Sequence, residues 1–259
     1  MKKIIFFLIA ISAIAFSCTK QQVPDYKAPF SYAATGSIAY IKINYLSAYR
    51  SNPSVQLKVN DSRVSNLITF RTPFPGGGFN TGGGSTADYL AVKTGDNTVA
   101  VTIPQKNTNT DSVVIFTTNT GYLIGGKSYT LHITDTGANT KTVVFEDDRT
   151  GVDTSIVKYT FANLMPNVPF LDLYYGTVKV ASNIPYLNTS ASFVIRPEGG
   201  TLAWAIREAG ASPTSTALAT YSSASSITKG RSYTVFASGY KGLGSTDVRR
   251  PFVSLFFKR

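Results

Sequence analysis

Few residues in this chain can do chemistry, and their spacing limits what they could do. There is one histidine, His132, and one cysteine, Cys18, in 259 residues. One imidazole cannot build a multi-histidine metal site, and a Ser-His-Asp triad would depend on this single residue. One thiol can form neither an internal disulfide nor a cysteine zinc site. His132 lies in Tyr129-Thr130-Leu131-His132-Ile133-Thr134, so strand alternation puts it on one side with Thr130 and Thr134, and that polar side is expected to face solvent. Glu146, Asp147, Asp148 and Asp153 could offer oxygens to Ca²⁺, but their spacing fits no EF-hand loop, and a solvated linker is expected. Glu198 and Glu208 could serve as the acid and base of a glycosidase. Glu198, however, falls in a Pro197-Glu198-Gly199-Gly200 turn, an ordinary place for a solvated acid. The triglycines at residues 76–78 and 82–84 are followed by no Gly-Lys-Ser/Thr, so they do not form a phosphate loop. No acid, base and nucleophile set converges, so the expectation is a protein that is not an enzyme and uses no cofactor and no metal.

Aromatic side chains are the remaining binding candidates, because sugars stack on rings that have an apolar face and a polar edge. Trp204 alternates with Leu202 and Ile206 and reads first as core. Phe74 and Phe79 sit among the glycines with no evident core to join, so they are the better binding hint. Phe74, Phe79 and Trp204 are therefore the candidate ligand-binding residues.

The N-terminus reads as an address. Lys2 and Lys3 precede an almost unbroken apolar run over residues 4–16, short of the roughly 20 residues that span a bilayer. These are the charged and apolar regions of a secretory signal. Ala15-Phe16-Ser17-Cys18 resembles a bacterial lipobox, in the relaxed form common in Bacteroidota. That resemblance makes residues 1–17 the signal peptide and Cys18 the lipid-bearing first residue of the mature chain. Several acyl chains on one residue suffice for stable anchoring. Residues 18–35, with Pro24 and Pro29, read as a lipidated tether. The expected location is the cell envelope, lipid-anchored, at the outer membrane.

Composition agrees with an exported β-protein. Charged residues are only 15%, with 43% hydrophobic and 12% aromatic residues, which suggests strands with polar, uncharged faces. The formal net charge is +11, which in a cytoplasmic protein would suggest nucleic acid. Export argues against that partner. Lipopolysaccharide, phospholipid headgroups or acidic polysaccharide would be the anionic partners met there, and solubility alone is the plainer role for the charge.

The chain also repeats itself. Gly126-Lys127-Ser128-Tyr129-Thr130 returns 104 positions later as Gly230-Arg231-Ser232-Tyr233-Thr234. Residues 91–103 align without gaps to 194–206 at an offset of 103, whereas Ser65-Asn66-Leu67 matches Ser182-Asn183-Ile184 at an offset of 117. The first copy thus carries 14 extra residues between Leu67 and Ala91, where the Gly-rich stretch lies. A period of this size means tandem domains, not a solenoid. Short alternating segments such as Val55-Gln56-Leu57-Lys58-Val59 are separated by turn clusters, and about seven strands per hundred residues suit a β-sandwich.

The expected fold is therefore all-β: two tandem Ig-like, Greek-key β-sandwich domains after the leader. Domain 1 covers residues 36–150, with a Gly-rich surface-loop insertion at 73–86, and domain 2 covers 154–259. Deleting such a loop should cost no more than about 1 kcal/mol. Asn163-Leu164-Met165-Pro166-Asn167-Val168-Pro169-Phe170-Leu171-Asp172-Leu173-Tyr174, then Ser182 to Tyr186, then the Gly-x-Ser-Tyr-Thr motif, resemble the DUF4397 family of exported bacterial proteins. The second copy resembles it better than the first. The resemblance implies an extracytoplasmic β-domain and carries over no catalytic residue. The expected role is a lipid-anchored envelope protein that binds or braces, its partners the membrane and a glycan or another envelope protein. The alternative is a glycan-binding accessory lipoprotein of a polysaccharide-uptake system.

Overall fold

A computed structural model describes residues 35–108, 110–198 and 200–259. The signal peptide, Cys18 and most of the tether lie outside the described residues. The chain is all-β, as expected. Its strands are β1 (Ile38–Leu46), β2 (Gln56–Val59), β3 (Ser62–Arg63), β4 (Thr72–Phe74), β5 (Gly78–Phe79), β6 (Leu90–Lys93), β7 (Thr98–Pro104), β8 (Asp111–Asn119), β9 (Ser128–Thr134) and β10 (Lys141–Glu146). They continue with β11 (Val157–Asn163), β12 (Phe170–Tyr175), β13 (Val178–Pro185), β14 (Asn188–Thr189), β15 (Phe193–Ile195), β16 (Trp204–Glu208), β17 (Ala219–Tyr221), β18 (Ser232–Ser238) and β19 (Phe252–Phe257).

Four sheets form, and the core clusters show how they stack. The sheet β3-β2-β7-β8 packs on β10-β9-β1-β4, which β6 joins along β1. Ile41, Ile43, Leu131 and Ile133 of the second sheet meet Leu57, Val99 and Val101 of the first. This is the first sandwich. The second packs β13-β12-β16-β17 on β14-β11-β18-β19, around Tyr159, Phe161, Leu173, Trp204, Val235 and Leu255. Strand pairing is matched between the two. β1 runs parallel to β9 (Ile43↔Leu131) and antiparallel to β6, and β11 runs parallel to β18 (Phe161↔Val235) and antiparallel to β15. The repeated Gly-x-Ser-Tyr-Thr motif has the same job in each. Gly126 (φ 78) donates its N–H to Ile38 O and Gly230 (φ 75) donates to Ile156 O. A left-handed turn that favours glycine thus delivers the following strand beside the opening strand.

A third core lies between the sandwiches. Leu46, Ala48 and Phe70 pack with Ala162, Leu164, Phe236, Phe252 and Phe256. The central strands of the facing sheets are therefore buried on both sides. Every residue of β9 and β18 is buried, the Thr and Ser positions included. This corrects the expectation for His132. It does share a side with Thr130 and Thr134, but that side meets the second sandwich and not water. His132 is fully buried, its ring 5.3 Å from Phe145 and 5.9 Å from Phe256. Of the segment expected as a solvated linker, Glu146, Asp148 and Asp153 are exposed as expected, and Asp147 alone is drawn in. Asp147 is buried, Asp148 pairs with Lys158 at 2.5 Å, and Arg149 donates to Lys258 O at 3.0 Å.

Burial pushes the His132 imidazole down from 6.5 to about 3. Asn44 Nδ2 lies 3.1 Å from its Nδ1, and no protein group meets its Nε2. Asn44, Phe145, Phe236 and Phe256 surround the ring, and Lys42, Asp147 and Lys258 share the layer. Between about 3 and 6.5 the unfolded chain binds more protons at this residue, so its contribution falls as pH drops through that window. Asp147, whose carboxyl burial raises, contributes with the opposite sign, both in the native chain and in a His132 variant. The wild type is therefore expected to lose more stability between pH 6.5 and pH 4 than His132→Leu, as measured by denaturant midpoints. Equal losses would refute the assignment.

Candidate binding groove

The Gly-rich segment, expected as a free surface loop, is a strap between the sandwiches. β4 pairs with β1 (Ile43↔Phe74), and β5 crosses to the second sandwich and pairs with β19 (Leu255↔Phe79, Phe256↔Gly78). An added Cβ on Gly78 would stand 1.8 Å from Leu255 O and 2.4 Å from Phe256 Cα, so only glycine allows the strands this close. Phe74 packs on the first core. Phe79 packs on the second, 5.2 Å from Phe257 and 6.1 Å from Tyr233. Trp204 is wholly buried, its indole N–H donating to Ser226 Oγ at 3.1 Å. The three aromatics read as ligand-binding candidates are thus core residues. The cores that Phe74 and Phe79 join are built by strands remote in sequence.

The other candidates are dispersed. Glu208 pairs with Lys241 at 2.7 Å, Glu146 pairs with Lys127 at 2.9 Å, and Asp153 accepts from its neighbour Ser155. Glu198 is exposed in the turn after β15. Asp147 accepts from Thr130 at 2.5 Å and from Tyr89 at 3.1 Å. Among the described residues no three His, Cys, Asp or Glu side chains converge.

Where the strap meets the second sandwich it forms one wall of a groove of about 430 Å³, lined by Asn80, Tyr221, Ser245, Arg250 and Phe252 among others. That volume is in the range of small-molecule sites. Asn80 (φ 53) clamps the strap end. Its Nδ2 donates to Val253 O at 2.7 Å, and its carbonyl accepts from Ser254 Oγ at 2.6 Å and Arg71 Nη1 at 2.7 Å. Outside the groove, Gly239 (φ 87) lets the β18–β19 loop that carries Arg250 close; a Cβ there would stand 2.1 Å from Arg250 O.

The groove's lining carries one charged side chain, Arg250, and Arg71 lies close to it. The guanidinium carbons of Arg71 and Arg250 lie 3.4 and 4.5 Å from the centroid of the Phe252 ring. Burial, and secondarily the Arg250 charge, lower the Arg71 guanidinium to about 10. The neighbouring carboxylate, Asp247, is engaged by Arg249 at 3.0 and 2.8 Å; that bond holds Asp247 down at about 2. Arg250 itself contacts no carboxylate among the described residues, and its guanidinium is bound only to the ring. Sequence reading missed this site because Asn80, Tyr221 and Arg250 are far apart along the chain. The one local signal was the adjacent Arg249-Arg250 pair before Pro251.

The family described as "Domain of unknown function (DUF4397)" matches residues 41–174, just over half of the chain. The chain belongs to the DUF4397 family. The DUF4397 match runs from β1 to β12, so it covers the first sandwich and the opening strands of the second, whereas the sequence motifs had resembled the family better in the second copy. No curated protein matches this DUF4397 chain.

Proposed function

We propose that this DUF4397 protein is a lipid-anchored cell-envelope protein, of the kind found in Bacteroidota outer membranes, that binds or braces and does not catalyse. The observation that carries this reading is Cys18, the chain's sole cysteine, directly behind an apolar run too short to span a bilayer. A non-catalytic role is supported by the place of the buried groups His132, Lys42, Asp147 and Lys258, which lie in the layer between the two sandwiches. The matched pairing of β1 with β9 and β11 with β18 supports a tandem duplication of one DUF4397 unit. A second reading, a glycan-binding accessory lipoprotein of a polysaccharide-uptake system, is favoured by the open Arg250 groove.

Cells fed an alkyne-tagged fatty acid should label the wild-type protein and leave Cys18→Ala unlabelled and released from the membrane fraction. If Cys18→Ala remains membrane-bound and the wild type takes up no tag, the anchoring reading is wrong.

A further inference from the structure

We infer that the groove beside the strap binds an acidic sugar, with Arg250 taking its carboxylate. The inference rests on the envelope-protein reading above only for where such a ligand would be met.

The groove presents a charged fork with nothing to hold. A guanidinium is planar, always charged and shaped to take a carboxylate through two parallel N–H···O bonds. In this protein most carboxylates in the described region are already engaged, as Asp247 is by Arg249. Arg250 is the arginine that lines the groove; nearby, Arg71 donates to Asn80 O and Arg249 is paired with Asp247, whereas among the described residues Arg250 has only the Phe252 face. The ring, 4.5 Å from the guanidinium carbon, uses none of its donors, so the N–H groups remain available to a ligand. Arg71 behind the same ring adds a second positive charge that has no carboxylate partner of its own.

The rest of the lining selects what carries the carboxylate. Tyr221 gives an aromatic ring with a hydroxyl, Thr220 and Ser245 give hydroxyls, and apolar side chains such as Leu218 and Leu243 give surface for the carbon face of a sugar ring. Hydroxyl and aromatic groups around a single cation suit a polyhydroxylated ring better than an acyl chain. A uronic acid unit meets both requirements, and the formal charge of +9 from Cys18 onward, 23 basic against 14 acidic residues, would draw an acidic polysaccharide toward the surface.

The test uses the full chain in detergent, with trigalacturonate as probe and maltotriose as its uncharged counterpart, followed by calorimetry. Trigalacturonate should bind saturably, at least tenfold more tightly than maltotriose, and more weakly as salt rises. Arg250→Gln should weaken it at least tenfold, and Arg250→Lys, which keeps the charge but loses the fork, should fall between. Ser245→Glu, an exposed position, should also abolish binding by placing a carboxylate in the groove, which keeps the test open should the Arg250 variant misfold. Absence of saturable trigalacturonate binding, equal binding of maltotriose, or binding untouched by either variant would overturn the inference. None of these results alters fatty-acid labelling at Cys18, so the two claims fail separately.

Discussion

Replacing Gly78 with valine should cost about 3–5 kcal/mol, which for a unit of this size is a fall of roughly 10 °C in melting temperature. The cause is steric. Any side chain at this position would have to occupy the space of the Leu255 carbonyl and the Phe256 backbone, so β5 could not sit against β19. Losing that pairing also withdraws Phe79 from the Tyr233–Phe257 cluster and breaks the Asn80 clamp on Val253 and Ser254. Truncating a buried Phe alone typically costs about 3–5 kcal/mol. Gly84→Ala is the control, because nothing lies within 4 Å of a Cβ there and its melting temperature should stay within a degree or two. Deleting residues 76–85 should resemble Gly78→Val, unlike the mild outcome expected of a free loop. A Gly78→Val protein that melts with the wild type would mean the strap carries no load.

Asp147→Ala should be the other large loss, about 3 kcal/mol or more at pH 7. Asp147 is buried between the sandwiches, where it accepts from Thr130 and Tyr89. Lys42 and Lys258 share that layer. Lys42 donates to Phe257 O at 3.2 Å and Lys258 to Thr160 Oγ1 at 3.1 Å. Burial lowers both ammonium groups, Lys42 to about 8, while the Asp147 charge pulls both the other way. Removing one partner of a buried charge cluster leaves the rest uncompensated, which costs about 3–5 kcal/mol. The deficit should shrink as pH rises. With folded-state values lowered below the ordinary 10.5, the unfolded chain holds more protons on these lysines across the window from about 8 to 10.5, so stability climbs with pH there. The climb should be steeper in Asp147→Ala, which lacks the charge that keeps the lysines protonated. Chemical denaturation at pH 7 and pH 9.5 measures both numbers, and a deficit under 1 kcal/mol at pH 7 would remove Asp147 from the account of the interface.

Much of the local architecture was legible in the residues alone. Alternation in Tyr129–Thr134 correctly sorted one side from the other, because a strand's side chains point to opposite faces in turn. The same rule put Trp204 with Leu202 and Ile206, and Trp204 is indeed core. The Gly-x-Ser-Tyr-Thr repeat announced a turn and a buried strand in both halves, because a positive φ strongly favours glycine. Composition and short alternating segments pointed to sheets. All of these depend on covalent geometry and nearest neighbours.

What only the tertiary structure decided is what each face meets. A row such as Ser128, Thr130, His132 and Thr134 looks the same whether water or another sheet lies against it, since hydroxyls tolerate burial once they have hydrogen-bond partners. Here the hydrogen-bond partners are Arg149 for Ser128, Asp147 for Thr130, Asn44 for His132 and Tyr186 for Thr134, while Phe236 of β18 and Phe256 of β19, far along the chain, close over the His132 ring and turn an expected surface into an interior. The Gly-rich stretch misled for a related reason. Glycines permit a mobile loop, but they equally permit a strand to approach another backbone more closely than any Cβ allows, and only the position of Leu255 distinguishes the two. Arg250 was invisible as a site because the meaning of a guanidinium lies in what it lacks. That no carboxylate among the described residues pairs with it is a property of the folded neighbourhood and not of its neighbours in sequence.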